Sequence, residues 1–402
     1  MSARLRYSTV ILVLVFVSLH TAHAQTETVL YKFNGTRDGN NTLASLVAVG
    51  GKLYGTIPYG GTGYGSVYEL SPNGSGVWTE TTIHTFSLAG EDGYYPLTLT
   101  TDGKGNLFGT TLLGGVNGGS CYELSPDGDS WKETILFSFR TGSAGENSFG
   151  NLIVDSDGNI FGTDDVVTTA WFESVYEASP SNGYVPQEIY NPGFVTATGG
   201  YGGLAIDASG NIFGISVQAY DPQVAIAFEL SPNGNKEDGW NSKTLYTFPE
   251  GIEPESPPTL DKVGRIYGTT VLGGATNNGT VYRLIPQANG QWKHETLYSF
   301  KGGKTDGSGP YSAVIFDASG NMYGTTSGGG KFNKGTVFEL SPAGDGSYKG
   351  TILWSFNFTD GYSPTSTLVR DSAGNLFGVT PMGGDRGCGA FVGCGLAFEV
   401  IP

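Results

Sequence analysis

The chain has 402 residues, including 65 Gly, 22 Tyr and 22 Phe, with only 14% charged residues and a formal charge of −16. That much glycine without a Gly-X-Y period excludes collagen, and 12% aromatics exclude a disordered chain, because aromatics supply buried area. Net acidity repels nucleic acid and anionic membrane, so neither is expected as a partner.

In chain order, residues 1–24 read as a secretory signal. Arg4 and Arg6 form the basic start, Val10–Leu19 the apolar run and Ala22-His23-Ala24 the cleavage site before Gln25. The apolar run falls short of the ~20 residues that span a bilayer; a retained anchor is the alternative. Removing the signal takes away two arginines and no acid, deepening the charge from −16 to −18. No second long apolar stretch, lipidation cysteine or C-terminal sorting tail is seen before Pro402. Residues 25–402 are therefore expected as one domain, secreted or periplasmic and monomeric, without a membrane span.

A Gly-Asn-apolar-aromatic-Gly motif then recurs seven times, every 52 to 56 residues. It begins as Gly51-Lys52-Leu53-Tyr54-Gly55 and Gly105-Asn106-Leu107-Phe108-Gly109, continues from Gly158, Gly210, Gly264 and Gly320, and ends as Gly374-Asn375-Leu376-Phe377-Gly378. Three residues before the glycine stands Asp102, Asp155, Asp207, Asp261, Asp317 or Asp371, closing a short apolar run. About 15 residues after it comes Val67-Tyr68-Glu69-Leu70-Ser71-Pro72 or its equivalent, and then a run ending at Phe86, Phe139, Phe248, Phe300 or Phe356. Four short β-rich runs per unit, separated by Gly, Asn, Asp and Pro turns, predict an all-β, seven-bladed β-propeller with four-stranded blades. An open β-solenoid is the alternative. The strand ending at Phe33 is of the fourth kind and Ala397–Pro402 of the third. The N-terminal strand should therefore complete the last blade and remove two free edges.

The segments LYGT…GSVYELSP, NLFGTTLLGG…GSCYELSP, RIYGTTVLGG…GTVYRLIP and NMYGTTSGGG…GTVFELSP resemble the Gloeo/Verruco (GloVer) tandem repeat. That resemblance spans essentially residues 25–402 and implies a bacterial, exported protein. It implies no catalytic residues.

Loops divide between two faces. One carries the Asp-x-x-Gly-Asn and Ser-Pro turns; the other carries the Gly-Gly loops and the segments leading into the next blade, and is the expected ligand face. On it, Asp92, Asp306 and Asp360 read either as carboxylates contacting sugar hydroxyls or Ca²⁺, or simply as Asp-Gly turns. Units three and four abandon the common loops and offer Trp171, Phe172, Tyr201 and Tyr220 as a platform for sugar rings or a protein. Drift of two blades is the alternative. The neighbours Asp164 and Asp165 point to opposite faces of a strand and make a poor glycosidase pair. The recurrent Glu69, Glu123, Glu177, Glu229, Glu339 and Glu399, with Arg283 in the fifth unit, are expected to be structural.

Beyond the signal, only His84 and His294 remain, which argues against a multi-histidine zinc site or other metal centre. No cofactor is expected apart from the Ca²⁺ reading. Cys388 and Cys394 are expected to form a disulfide in an exported protein, and Cys121 to act as a small buried hydrophobe. No catalytic constellation is evident. A binding module for extracellular glycan or protein is therefore the leading reading. The alternatives are an extracellular carbohydrate-active enzyme (a polysaccharide lyase or hydrolase) and an envelope structural protein.

Overall fold

A computed structural model of the chain describes residues 25–35, 45–60, 63–74, 77–88, 92–140, 151–167, 171–192, 203–217, 224–234, 239–384, 386–388 and 393–402. The expected signal lies outside these residues. Among them, strands pair antiparallel into seven four-stranded sheets, the blades of a β-propeller. Blade 1 comprises Val47–Val49, Lys52–Ile57, Ser66–Pro72 and Trp78–Thr85. Blade 2 comprises Gly93–Thr101, Leu107–Gly114, Asn117–Asp127 and Ser130–Arg140. The N-terminal strand Thr26–Lys32 pairs with Leu396–Ile401, Thr26 opposite Ile401 and Lys32 opposite Leu396, and so completes blade 7.

The middle strands are covered on both sides by neighbouring blades, which is why they are apolar almost without alternation. Ile266–Thr270, Met322–Thr326 and Leu376–Thr380 are buried at every position. The last glycine of the motif has a packing cause. In blade 5, Gly268 lies opposite Tyr282 on the third strand, and a Cβ there would overlap the tyrosine's phenol end. Gly55 and Tyr68, Gly109 and Tyr122, and Gly162 and Tyr176 repeat this, with Phe228, Phe338 and Phe398 in the other blades.

The Asp-Asn hairpin explains itself locally. In blade 3 the Asp155 carboxylate accepts the backbone N–H groups of Asp157 and Asn159, both at 2.9 Å, and the Asn159 side-chain amide at 2.8 Å. Gly158 takes the left-handed conformation (φ 83°) that such a turn requires. In blade 5, Arg265 replaces the asparagine and donates to Asp261.

One device escapes the sequence reading. A tryptophan at the start of a fourth strand reaches back to the aromatic of the preceding blade: Trp78 meets Phe377, Trp131 meets Tyr54 and Trp240 meets Phe161, ring centroids 5.6 to 5.9 Å apart. These contacts join blades, not strands.

Candidate functional site

The three expected loop aspartates stand at three separate blade junctions and share one local task. Asp306, 8% exposed, accepts the Lys301 N–H at 2.8 Å and the Tyr298 hydroxyl at 3.0 Å. Asp360 accepts the Asn357 N–H at 2.7 Å and its side-chain amide at 2.8 Å. Asp92 accepts the Ser87 N–H at 2.8 Å and hydroxyl at 3.0 Å through Oδ2. Each carboxylate therefore ties down the segment that leaves a fourth strand. The blade 3 and 4 platform is only partly in view. Trp171 and Phe172 begin the third strand of blade 3, their side chains outside the described part, and Tyr201 and Tyr220 lie outside the described residues.

The Gly-Gly-loop face carries a different aromatic group where blade 1 meets blade 2. Tyr94 and Tyr95 follow Asp92 at the start of the first strand of blade 2, while Tyr59 and Tyr64 come from the loop joining the second and third strands of blade 1. The rings form a chain: Tyr64 to Tyr94 at 5.8 Å, Tyr94 to Tyr95 at 5.0 Å and Tyr95 to Tyr59 at 4.9 Å. Tyr59 is 48% exposed. The Tyr95 N–H donates to the Tyr64 carbonyl at 2.8 Å and locks the two segments together. Tyr95 itself has φ 60°, a left-handed backbone uncommon for a bulky side chain and costly to hold. Among the described residues, the corresponding positions of the other two Asp-Gly junctions are Gly309 and Ser363, also at positive φ. The loop geometry is thus common, and placing a tyrosine in it is peculiar to this junction. Tyrosine faces with hydroxyl tips can stack on apolar sugar faces while hydrogen-bonding at the edge.

At the same junction, His84 Nε2 lies 3.3 Å from Glu133 Oε1 and 4.0 Å from Asp92 Oδ1. Burial disfavours the imidazolium, but the Asp92 and Glu133 carboxylates outweigh it and hold the His84 pKa up, at about 9. His294, stacked on Tyr246 and Tyr282, goes the other way: burial lowers its pKa. At the opposite end of the same junction a cleft of about 730 Å³ opens beside the hairpin turns, lined by Tyr54, Trp131, Lys52 and Glu69. Lys52 and Glu69 are paired there at 2.7 Å. Blade 1 lacks the Asp-Asn hairpin: its turn is one residue shorter, with Val49 opposite Lys52 across Gly50-Gly51.

Of the recurrent glutamates, Glu177 accepts the Trp240 indole N–H of the next blade at 3.0 Å, Glu339 binds Ser341, and Arg283 donates to Glu295. All are framework contacts. Cys388 and Cys394 form a disulfide with Cα atoms 5.1 Å apart, and Cys121 is fully buried in the blade 2–3 core, its thiol pKa pushed up by burial.

Sequence alone points to the loop that carries Tyr94 and Tyr95 but not to the tyrosines, and it gives no sign that His84 meets Glu133 from the next repeat. Recurrent tryptophans after the Ser-Pro turn were a visible signal for the blade-to-blade contacts.

Among the described residues no helix is long and apolar enough to cross a membrane. No curated protein matches the chain. Among solved structures it is similar to a hypothetical selenium-binding protein from Sulfolobus tokodaii, at 10% identity over 74% of each chain with a TM-score of 0.50. The periplasmic gluconolactonase of Pseudomonas aeruginosa aligns at 15% identity over 78% of this chain and 85% of its own, TM-score 0.48. A protein of unknown function from Dyadobacter fermentans aligns at 11% identity over 94% and 98%, TM-score 0.45. At such identities the likeness is one of fold alone. The repeat is more specific: the Gloeobacter/Verrucomicrobia repeat matches residues 15–191 and 173–392, and with seven blades built on that repeat the chain belongs to the Gloeobacter/Verrucomicrobia repeat family.

Proposed function

We propose that the protein is an exported binding module for extracellular glycan, with its sugar platform at the blade 1–2 junction. The observation that carries this reading is the tyrosine chain Tyr59–Tyr95–Tyr94–Tyr64, in which a bulky residue is held at positive φ beside a half-exposed ring. Strained residues that persist in a loop are retained for something other than stability. Export is supported by the signal-like residues 1–24 and by the disulfide, which needs an oxidising compartment.

Native electrophoresis of the purified protein through gels containing a panel of soluble polysaccharides tests the reading. At least one glycan should retard the protein. Tyr59→Ala should weaken that retardation by a few-fold to tenfold, the equivalent of a ring contact worth about 0.5–1.5 kcal/mol. Unchanged mobility in every gel refutes glycan binding across the panel. Loss in Trp171→Ala and Tyr220→Ala but not in Tyr59→Ala moves the site to blades 3 and 4.

A further inference from the structure

We infer that His84, Asp92 and Glu133 form a site for a divalent transition-metal ion, Zn²⁺ or Mn²⁺, which clasps blade 1 to blade 2. One ligand atom from each, His84 Nε2, Asp92 Oδ1 and Glu133 Oε1, lies within 4.8 Å of the other two. All three atoms are shut off from solvent, and apart from their ion-pair contacts with one another none has a hydrogen-bond partner. Buried polar groups without partners are expensive, and this set consists of two acceptor-only carboxylates and an imidazole nitrogen.

A proton on Nε2 can point at one carboxylate at a time and leaves the other unserved. A divalent cation serves all three and neutralises both charges. The spacing suits it: two ligand atoms ~2.0–2.1 Å from a tetrahedral ion lie about 3.4 Å apart. His84 Nε2 and Glu133 Oε1 are already 3.3 Å apart, Asp92 Oδ1 is 4.0 Å from the histidine nitrogen, about 0.6 Å beyond the tetrahedral spacing, and all three atoms lie within 4.8 Å of one another. The Asp92 carboxylate is oriented from behind, its other oxygen held by Ser87 N–H and Oγ, as outer hydrogen bonds orient metal-binding carboxylates. An imidazole ligand favours a transition metal over Ca²⁺, which takes oxygen ligands.

The blade-to-blade comparison argues for a special purpose. His84 pairs with Val67 on the third strand. The matching positions hold Phe137, Tyr190, Tyr246, Tyr298, Trp354 and Tyr31, none of them a metal ligand of this kind. The position of Glu133, opposite Leu124, holds Glu80 in blade 1, Glu27 in blade 7, His294 in blade 5, Ser242 in blade 4 and Gly350 in blade 6, so the histidine is what sets this junction apart. Among the described residues the full set converges at this junction alone. This assignment does not depend on the glycan reading.

Calorimetric titration of the chelator-treated protein with ZnCl₂ tests it. One Zn²⁺ should bind per chain and raise the melting temperature, as a ligand selective for the folded state must. His84→Phe, which installs the residue type of blade 2, and Glu133→Gln should each weaken binding at least tenfold, while His294→Phe leaves it unchanged. No binding by the wild type, or equal binding by wild type and His84→Phe, overturns the site. Should the variants fail to fold, ¹⁵N spectra of the wild-type imidazoles decide. Zn²⁺ must shift the His84 resonances, and a His84 that stays an unperturbed imidazolium in excess Zn²⁺ overturns the inference.

Discussion

Tyr95 shows how a single residue can set stability against function. Its backbone stands at φ 60°, a conformation that costs a side chain with a Cβ about 1–2 kcal/mol. Its ring meets both Tyr59 and Tyr94, contacts worth about 0.5–1.5 kcal/mol each. Changing Tyr95 to Gly removes the strain and the rings together, with ~0.5–1 kcal/mol lost to the freer unfolded chain. Urea unfolding of Tyr95→Gly should therefore stay within about 1–2 kcal/mol of the wild type. Tyr95→Ala keeps the strain while losing the rings, and should be the less stable of the two variants. A Tyr95→Gly variant less stable than Tyr95→Ala, by the glycine entropy cost alone, would mean that the backbone at this position is not strained. His84 is the counterexample for prediction by residue type: a lone histidine in a fourth strand carries no message until the Glu133 of the next blade is placed beside it.

At the scale of the strand, the repeat was legible because its chemistry is local. The Asp155–Asn159 hairpin closes within five residues, and the apolar middle strands announce that neighbours cover both sides. What stayed hidden is what couples one repeat to another. Gly268 is visible in the motif, yet its reason is Tyr282 on the partner strand. Trp240 is visible too, yet its partners Phe161 and Glu177 lie in the preceding blade. The tyrosine group draws on the first strand of blade 2 and on a strand-to-strand loop of blade 1, and where the two meet is set by the ring. The Gly268–Tyr282 pairing makes a sharp prediction. Gly268→Ala forces overlap with a fully buried ring and should cost about 1–3 kcal/mol, the usual range for overpacking. Gly290→Ala is the control for added side-chain bulk, since a Cβ there meets nothing within 4 Å, although its φ of 80° adds some strain of its own. Pairing Gly268→Ala with Tyr282→Leu should recover part of the loss if the ring is the obstacle. No recovery would put the cause elsewhere.

For the whole molecule, the ring is shut by one strand, so its integrity depends on how Thr26–Lys32 is held against Leu396–Ile401. Leu30 and Phe33 bury themselves in the core shared by blades 7 and 1, the Phe33 N–H donates to the Gly395 carbonyl at 3.2 Å, and the Cys388–Cys394 disulfide packs against Gly35 just beyond the strand. Within this closure sits one unfavourable group. Glu27, opposite Val400, has a buried carboxylate oxygen without a hydrogen-bond partner. Burial, reinforced by the nearby Asp360 charge and partly offset by Lys32, raises its pKa from 4.5 to about 8. Between those two values the folded chain keeps a proton that the unfolded chain releases, so this group's contribution to stability falls as pH rises. The contribution is whole below pH 4.5 and gone above about pH 8. Glu27→Gln, neutral at every pH, should remove that slope. Melting temperatures of the two proteins should approach each other near pH 5 and separate toward pH 8, with the variant the more stable. Other titrating groups are common to both chains and cancel in the difference. Parallel curves from pH 5 to pH 9 would show that Glu27 titrates normally, and the closing strand would then tolerate its charge at no cost.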